Sequence, residues 1–400
     1  MRMRFNRSSQ LVLVSAASLL AAGLVTACGT LTVDFVYVTS AQGAGSTGYG
    51  EVDVFEINSE SGRMRQIPTS PFPSGGRNPV AEATSADNAD LYVVNRDDNS
   101  IVQFVIGNDG KLYPQNTYNT PGVFPMAVNV TKSYLYVVDT YQPLPSCSPA
   151  APCSGSIAAY PINQDDSLGT PVTNASLSAA YWPLTLPSNP TDVMTPTAVT
   201  TANSGAYVYV TAYDSTNGGG YVFGFTVNSD GSLTPMNGGV PFAAGTRPSA
   251  IAADPSGSFV YVTDEAQNLV QTFQVNGGTL SLMSNPAQTG NVPAAIVVDG
   301  TGKYAYVANS QDGNLSAYSI SGGVLTWLGT YTTGTQPVAI GIDPSLNEYL
   351  YTANYLDATV SGFQISATDG TLLNSQFSPS KSSALPTAVA AIPHGAQAKK

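Results

Sequence analysis

The sequence predicts an all-β protein, a seven-bladed β-propeller of four-stranded antiparallel blades whose ring is closed by the C-terminal strand completing blade one. Three observations carry this. A short alternating strand recurs seven times: YVTS at Tyr37, YVVN at Tyr92, YVVD at Tyr136, YVTA at Tyr209, YVTD at Tyr261, YVAN at Tyr306 and YTAN at Tyr351. Six copies are preceded, at 11 to 14 residues, by a proline opening an apolar run, at Pro79, Pro125, Pro196, Pro248, Pro293 and Pro337. The first copy lacks that run, and a spare one, PTAVAAI from Pro386 to Ile392, stands at the other end of the chain.

Each repeat supplies four strands. The proline run comes first and the YV strand second. A third alternating run follows, such as VDVFEI from Val52 or LVQTFQV from Leu269, and a short closing run such as GSLTPM or GGVLTWL ends the unit. Units of this length match a blade that cannot bury both faces alone and stacks radially on its neighbours. Borrowing the last strand to complete the first blade closes the ring and removes open sheet edges. The chain thus divides into a signal segment (1–27), one propeller (28–393) and a short tail (394–400).

The N-terminus carries Arg2, Arg4 and Arg7, then LVLVSAASLLAAGLV, then TACG. That is a secretory signal, too short for a membrane span. Its end resembles a bacterial lipoprotein cleavage site, which would leave Cys28 as the first residue, acylated on sulfur and amine. Several acyl chains, palmitate among them, hold a protein at a membrane far better than one. The expected location is the bacterial cell envelope, and the outer membrane if the host has two. Losing residues 1–27 removes three arginines and no acid, leaving 11 bases against 26 acids and a charge of −15. Such a surface repels nucleic acid. Cys147 and Cys153, in CSPAAPC, are expected to form a disulfide stiffening one loop, worth about 2 kcal/mol on a chain-entropy count. No histidine or second cysteine pair accompanies them, so no metal is expected there.

Strand order assigns the loops to two faces. Loops after the first and third strands are tight Asp, Asn and Gly turns, such as DPSGS at Asp254, and no calcium is expected at them. Loops after the second and fourth strands carry the insertions: AQGAGSTGYGE from Ala41, the cysteine loop, a long piece from Asn174 to Met194, and YDSTNGGG from Tyr213. This face is the candidate site, because rigid scaffolds present recognition on loops. Tyr141, Tyr181 and Trp182 are its candidate stacking residues for a flat ligand. Arg77 and Arg247 stand just before the inner-strand prolines of blades two and five, roughly 150 degrees apart around a seven-fold axis, and suit an anionic ligand unless carboxylates nearby pair with them. Glu82 occupies a position that is Val128, Val199, Ile251, Ile296, Ile340 or Val389 in the other blades. Burying it unpaired is costly, so a partner among Arg77, Arg96 and Arg247 is expected, or else a local irregularity of that strand.

The seven YV strands, the preceding P-x-A-[IV] runs and the following V-x-x-F-x-I runs resemble the YVTN seven-bladed propellers of the lactonase family, over roughly residues 31 to 393. The resemblance implies the same fold. For activity it implies 6-phosphogluconolactonase-like or related lactone chemistry, which in enzymatic relatives uses a channel histidine with arginine and acidic residues. This chain has one histidine, His394, beyond the last strand. Without it, a hydrolase would need Glu82 as base and Arg77 and Arg247 as electrophilic partners. No cofactor motif is present. The reading that joins these features is a monomeric, membrane-anchored binding or scaffolding propeller for a protein, glycan or small molecule. The alternative is a lactonase-like hydrolase working without a catalytic histidine.

Overall fold

The computed structural model describes residues 32–42, 48–343 and 346–395, which form seven antiparallel sheets, one per blade. In blades two to seven the strands run outward in chain order. Blade two, for instance, is Pro79–Thr84, Asp90–Asn95, Ser100–Ile106 and Leu112–Asn119. Blade one takes its innermost strand from the far end of the chain. Pro386–Pro393 pairs antiparallel with Thr32–Ser40, setting Val389 against Val38 and Ile392 against Phe35. That strand also packs against Pro337–Ile342 of blade seven on one side and Pro79–Thr84 of blade two on the other, so the inner strands form a closed ring.

The core lies between blades. Strand alternation sends one set of side chains to each face, and each face meets the next blade. Phe35, Tyr37, Val52 and Val54 of blade one thus pack on Leu91, Val93, Val102 and Phe104 of blade two.

The repeated tyrosine has a specific task. All seven copies are fully buried, and a buried phenol needs an acceptor. Four hydroxyls find it in the turn between the third and fourth strands of the next blade. Tyr37 donates to the Gly110 carbonyl (3.3 Å), Tyr92 to Asp166 (2.6 Å), Tyr209 to Gly278 (2.6 Å) and Tyr306 to Gly370 (2.9 Å). Across the closing seam Tyr351 donates to Asp34 Oδ2 (3.1 Å). The motif therefore stitches five of the seven blades to their successors, whereas the buried Tyr136 and Tyr261 hydroxyls find no partner among the described residues. Tyr209→Phe should lower stability by about 1–2 kcal/mol in chemical denaturation. Tyr261→Phe should be nearly neutral, because the Tyr261 hydroxyl has no partner. Equal losses in both variants would contradict the stitching role.

The last residue of the repeated strand holds the backbone leading into its own blade's inner strand. Asp139 Oδ2 accepts from the Gly122 amide (3.1 Å), Asp264 Oδ2 from Thr246 (2.6 Å) and Asn309 Oδ1 from Gly290 (3.1 Å). A glycine stands three residues before the proline because there is no room for a side chain. A Cβ at Gly122 would lie 2.4 Å from the Asp139 Cβ.

Candidate functional site at the loop-rich face

The cysteine loop projects from the predicted face and is closed by the Cys147–Cys153 disulfide, with Cα atoms 5.5 Å apart. It meets the segment that leads into blade four, where Ser154 Oγ donates to the Asp192 carbonyl (2.9 Å) and the Gly155 amide to that of Met194 (2.9 Å). The long insertion, however, does not lie wholly on this face. Trp182–Pro183 is the outer strand of blade three, pairing with Ile157 and Ser156 at the loop-rich end. Residues 162–181 therefore leave from the opposite face and climb the blade edge.

This placement separates the three aromatic candidates. Trp182 is 4% exposed and packs in the core between blades three and four, and Tyr181 is buried beside it. Tyr141 alone stays on the loop-rich face, edge-on to Phe124 with ring centroids 6.1 Å apart. Arg96 stacks over the other partner in this group, Phe124, at 5.1 Å.

Both candidate arginines are exposed and already paired. Arg77 bridges to Asp98 at 2.5 Å, and Asp98 Oδ2 also accepts the Arg77 amide (2.7 Å). That carboxylate belongs to the scaffold. Asp312 and Asp357, in the matching loops of blades six and seven, accept the Asn291 and Thr335 amides in the same way, each at 2.7 Å. Arg77 keeps Asp98 below the usual carboxylate range. Arg247 pairs with Glu265 at 2.6 Å and lies over the Tyr213 ring at 4.7 Å.

Glu82 lies on the inner strand of blade two opposite Val93, which packs toward blade one. Its partner is none of the three arginines. The Thr39 hydroxyl of blade one donates to Oε2, and Oε1 is buried without a partner. Burial pushes its pKa up to about 8, with the Thr39 hydroxyl and the backbone at Ala390 and Thr39 pulling the other way. The strand keeps its ladder through Glu82, its one register shift lying between Pro79 and Ala81. Burial thus favours the protonated carboxyl where the other blades carry an apolar side chain, since a neutral acid is tolerable there and a carboxylate is not.

Backbone strain gathers where the inner strands begin on this face. The residue before the proline takes a left-handed conformation in five blades: Leu385 (φ 57°), Asn78 (51°), Phe124 (57°), Val292 (54°) and Gln336 (58°). Both the following proline and, at Val292, β-branching disfavour it. Such strain persists only where the surroundings over-determine it, here through bonds such as Val292 N to Asn268 Oδ1 at 2.9 Å.

The face can therefore offer aromatic rings, the neutralised Arg77 and Arg247, and the Arg96 guanidinium stacked on Phe124. His394 stacks on Phe35 at 5.3 Å, beside the strand end where its amide bonds the Val33 carbonyl. Among the described residues no group of three His, Cys, Asp or Glu side chains could hold a metal. No described helix is long and apolar enough to cross a membrane. Cys28 and the signal segment lie outside the described residues. Sequence reasoning missed Tyr213, Phe124 and the pairing acids Asp98 and Glu265. Their one signal was position, in or beside the loops that flank the inner-strand prolines.

The family model for the lactonase seven-bladed beta-propeller matches residues 49–143 and 234–342. A search of curated proteins found no match. Among solved structures, a 6-phosphogluconolactonase-like protein of Bacteroides fragilis superposes with a TM-score of 0.70 at 19% identity, covering 91% of this chain and 99% of its own. The periplasmic gluconolactonase of Pseudomonas aeruginosa superposes with a TM-score of 0.67 at 18% identity, covering 90% and 99%. At these identities the likeness is one of fold.

Proposed function

Because the chain belongs to the seven-bladed beta-propeller lactonase family, we propose that it uses the family scaffold as a binding protein, lipid-anchored through Cys28 at the bacterial cell envelope. The observation that carries this reading is the state of the charged groups. Arg77 and Arg247 each face a carboxylate within 2.6 Å, and the Glu82 carboxyl is turned into the seam between blades one and two. Lactone hydrolysis needs a base poised on a water and donors aimed at the developing oxyanion. Arginines neutralised by scaffold carboxylates, and a carboxyl turned into a seam between blades, supply neither.

Binding asks for less. Tyr141 beside Phe124, and Tyr213 under Arg247, supply flat surfaces with polar edges suited to an uncharged ring-shaped ligand. The carboxylates on Arg77 and Arg247 weaken the case for an anion at those two residues. Titration calorimetry against neutral sugars, sugar lactones and aromatic glycosides tests this. Tyr141→Ala or Tyr213→Ala should weaken the ligand that binds roughly tenfold without lowering the melting temperature. Affinity unchanged in both variants would exclude the face.

A hydrolase is the second reading. The gluconolactonase activity named for the Pseudomonas protein on the same fold favours it, as does a Glu82 pKa of about 8, within the range of a general base.

A further inference from the structure

We propose that a groove on the outer rim, between blades five and six and distinct from the loop-rich mouth, binds the neutral pyranose ring of a saccharide, with Trp327 as its stacking platform. The groove has a volume of about 400 Å³, within the range of small-ligand sites. It exists because two outer edges differ. Blade six ends in a continuous nine-residue strand, Val324–Thr332, whereas the outer edge of blade five is broken into Thr279–Leu282 and Ala287–Gln288. The short edge leaves the face of the long one uncovered.

Trp327 stands on that uncovered face and is 62% exposed. An isolated exposed leucine would mean little, but a tryptophan this open beside a polar groove offers a large flat surface. Around it are Gln288, Thr330 and the Asn314 side-chain amide, over a buried Ser316 that, like Asn314 Oδ1, already accepts from Asn309 Nδ2 (2.9 and 2.7 Å). No lysine or arginine lines the groove, and the Asp312 carboxylate on its rim is held by the Asn291 amide (2.7 Å) and side chain (2.9 Å). An anion would therefore find no countercharge. A purely aromatic ligand would cover amides and hydroxyls without bonding them, which is costly. A neutral pyranose satisfies both surfaces. Its C–H face meets the electron-rich indole face and its hydroxyls meet the amides.

Trp182, the other tryptophan, is 4% exposed, so solution quenching of tryptophan fluorescence reports on Trp327. Acrylamide quenching is measured with maltotriose, cellotriose and chitotriose. At least one should protect the exposed tryptophan, and calorimetry should show that ligand weakened roughly tenfold or more in Trp327→Ala and less in Trp327→Phe. Melting temperatures should be unchanged, because the ring is exposed. Protection of the exposed tryptophan from quenching should be unchanged in Tyr213→Ala, whatever that variant does to binding at the mouth, because Tyr213 does not line this groove. Absence of protection and of binding heat across the three sugars would overturn the proposal. So would equal affinity in Trp327→Ala, or binding of an aromatic alcohol in place of the sugars.

Discussion

Removing residues 386–400 should abolish cooperative folding. The deletion takes the inner strand from blade one, and with it Val389 and Ile392, which are 8% and 0% exposed. Burial of two such side chains contributes about 5 kcal/mol, and Val38 and Phe35 lose the residues set against them. The strand also fills the gap between blades seven and two, so its loss opens the ring. A domain of this kind holds a total of about 5–15 kcal/mol. Thermal unfolding followed by circular dichroism should lose its sharp transition. Placing the same segment ahead of Thr32 should restore it, because blade one would then have the chain order of every other blade. The His394 amide already bonds the Val33 carbonyl, showing how short the connection is. A sharp transition within a few degrees of the full chain would contradict closure by this strand.

Stability should fall as pH rises through neutrality, and Glu82→Gln should remove much of that fall. Burial raises Glu82 from 4.5 to about 8, and raises Asp34 and Asp139 from 3.8 to about 7. Below their unfolded values all three are protonated in both states and contribute no pH dependence. Between the unfolded and folded values the folded protein keeps protons that the unfolded chain has released, so stability declines with increasing pH. Above about 8 the full cost is present, about 5 kcal/mol for Glu82 alone. Glutamine keeps an acceptor for the Thr39 hydroxyl and has no charge to bury. The variant should match the parent near pH 4 and melt at a higher temperature near pH 9. Parallel pH profiles for the two proteins would show that Glu82 is not held as a neutral acid.

The propeller was legible because its signals are local and repeated. The tyrosine strand, the proline run and the displaced PTAVAAI segment can all be read within one blade length. The bonds between blades could not be read in this way. The Tyr209 hydroxyl finds Gly278 in another repeat, and nothing in either segment marks the pairing. Glu82 was visible as the one charge in an apolar register. Its partner was not, because Thr39 comes from the neighbouring blade and is no more conspicuous than any other strand threonine. For Arg77 the sequence left open an anionic ligand or a nearby carboxylate, and the carboxylate is what it meets. Asp98 carries no local mark of that pairing, and its position recurs in Asp312 and Asp357 as a clamp on backbone amides. Tyr181 and Trp182 were placed on the face by the length of their insertion. That length is spent in climbing the blade edge to furnish a missing outer strand.

The measurement that bears most directly on the account is turnover of a panel of sugar and aromatic lactones by the soluble domain beginning after Cys28, beside Glu82→Gln and Arg77→Ala. A binding propeller whose carboxyl and arginines are committed to the scaffold should give no hydrolysis above the spontaneous rate in any of the three proteins. Turnover by the parent that disappears in both variants would contradict it and establish a histidine-free lactonase centred on Glu82.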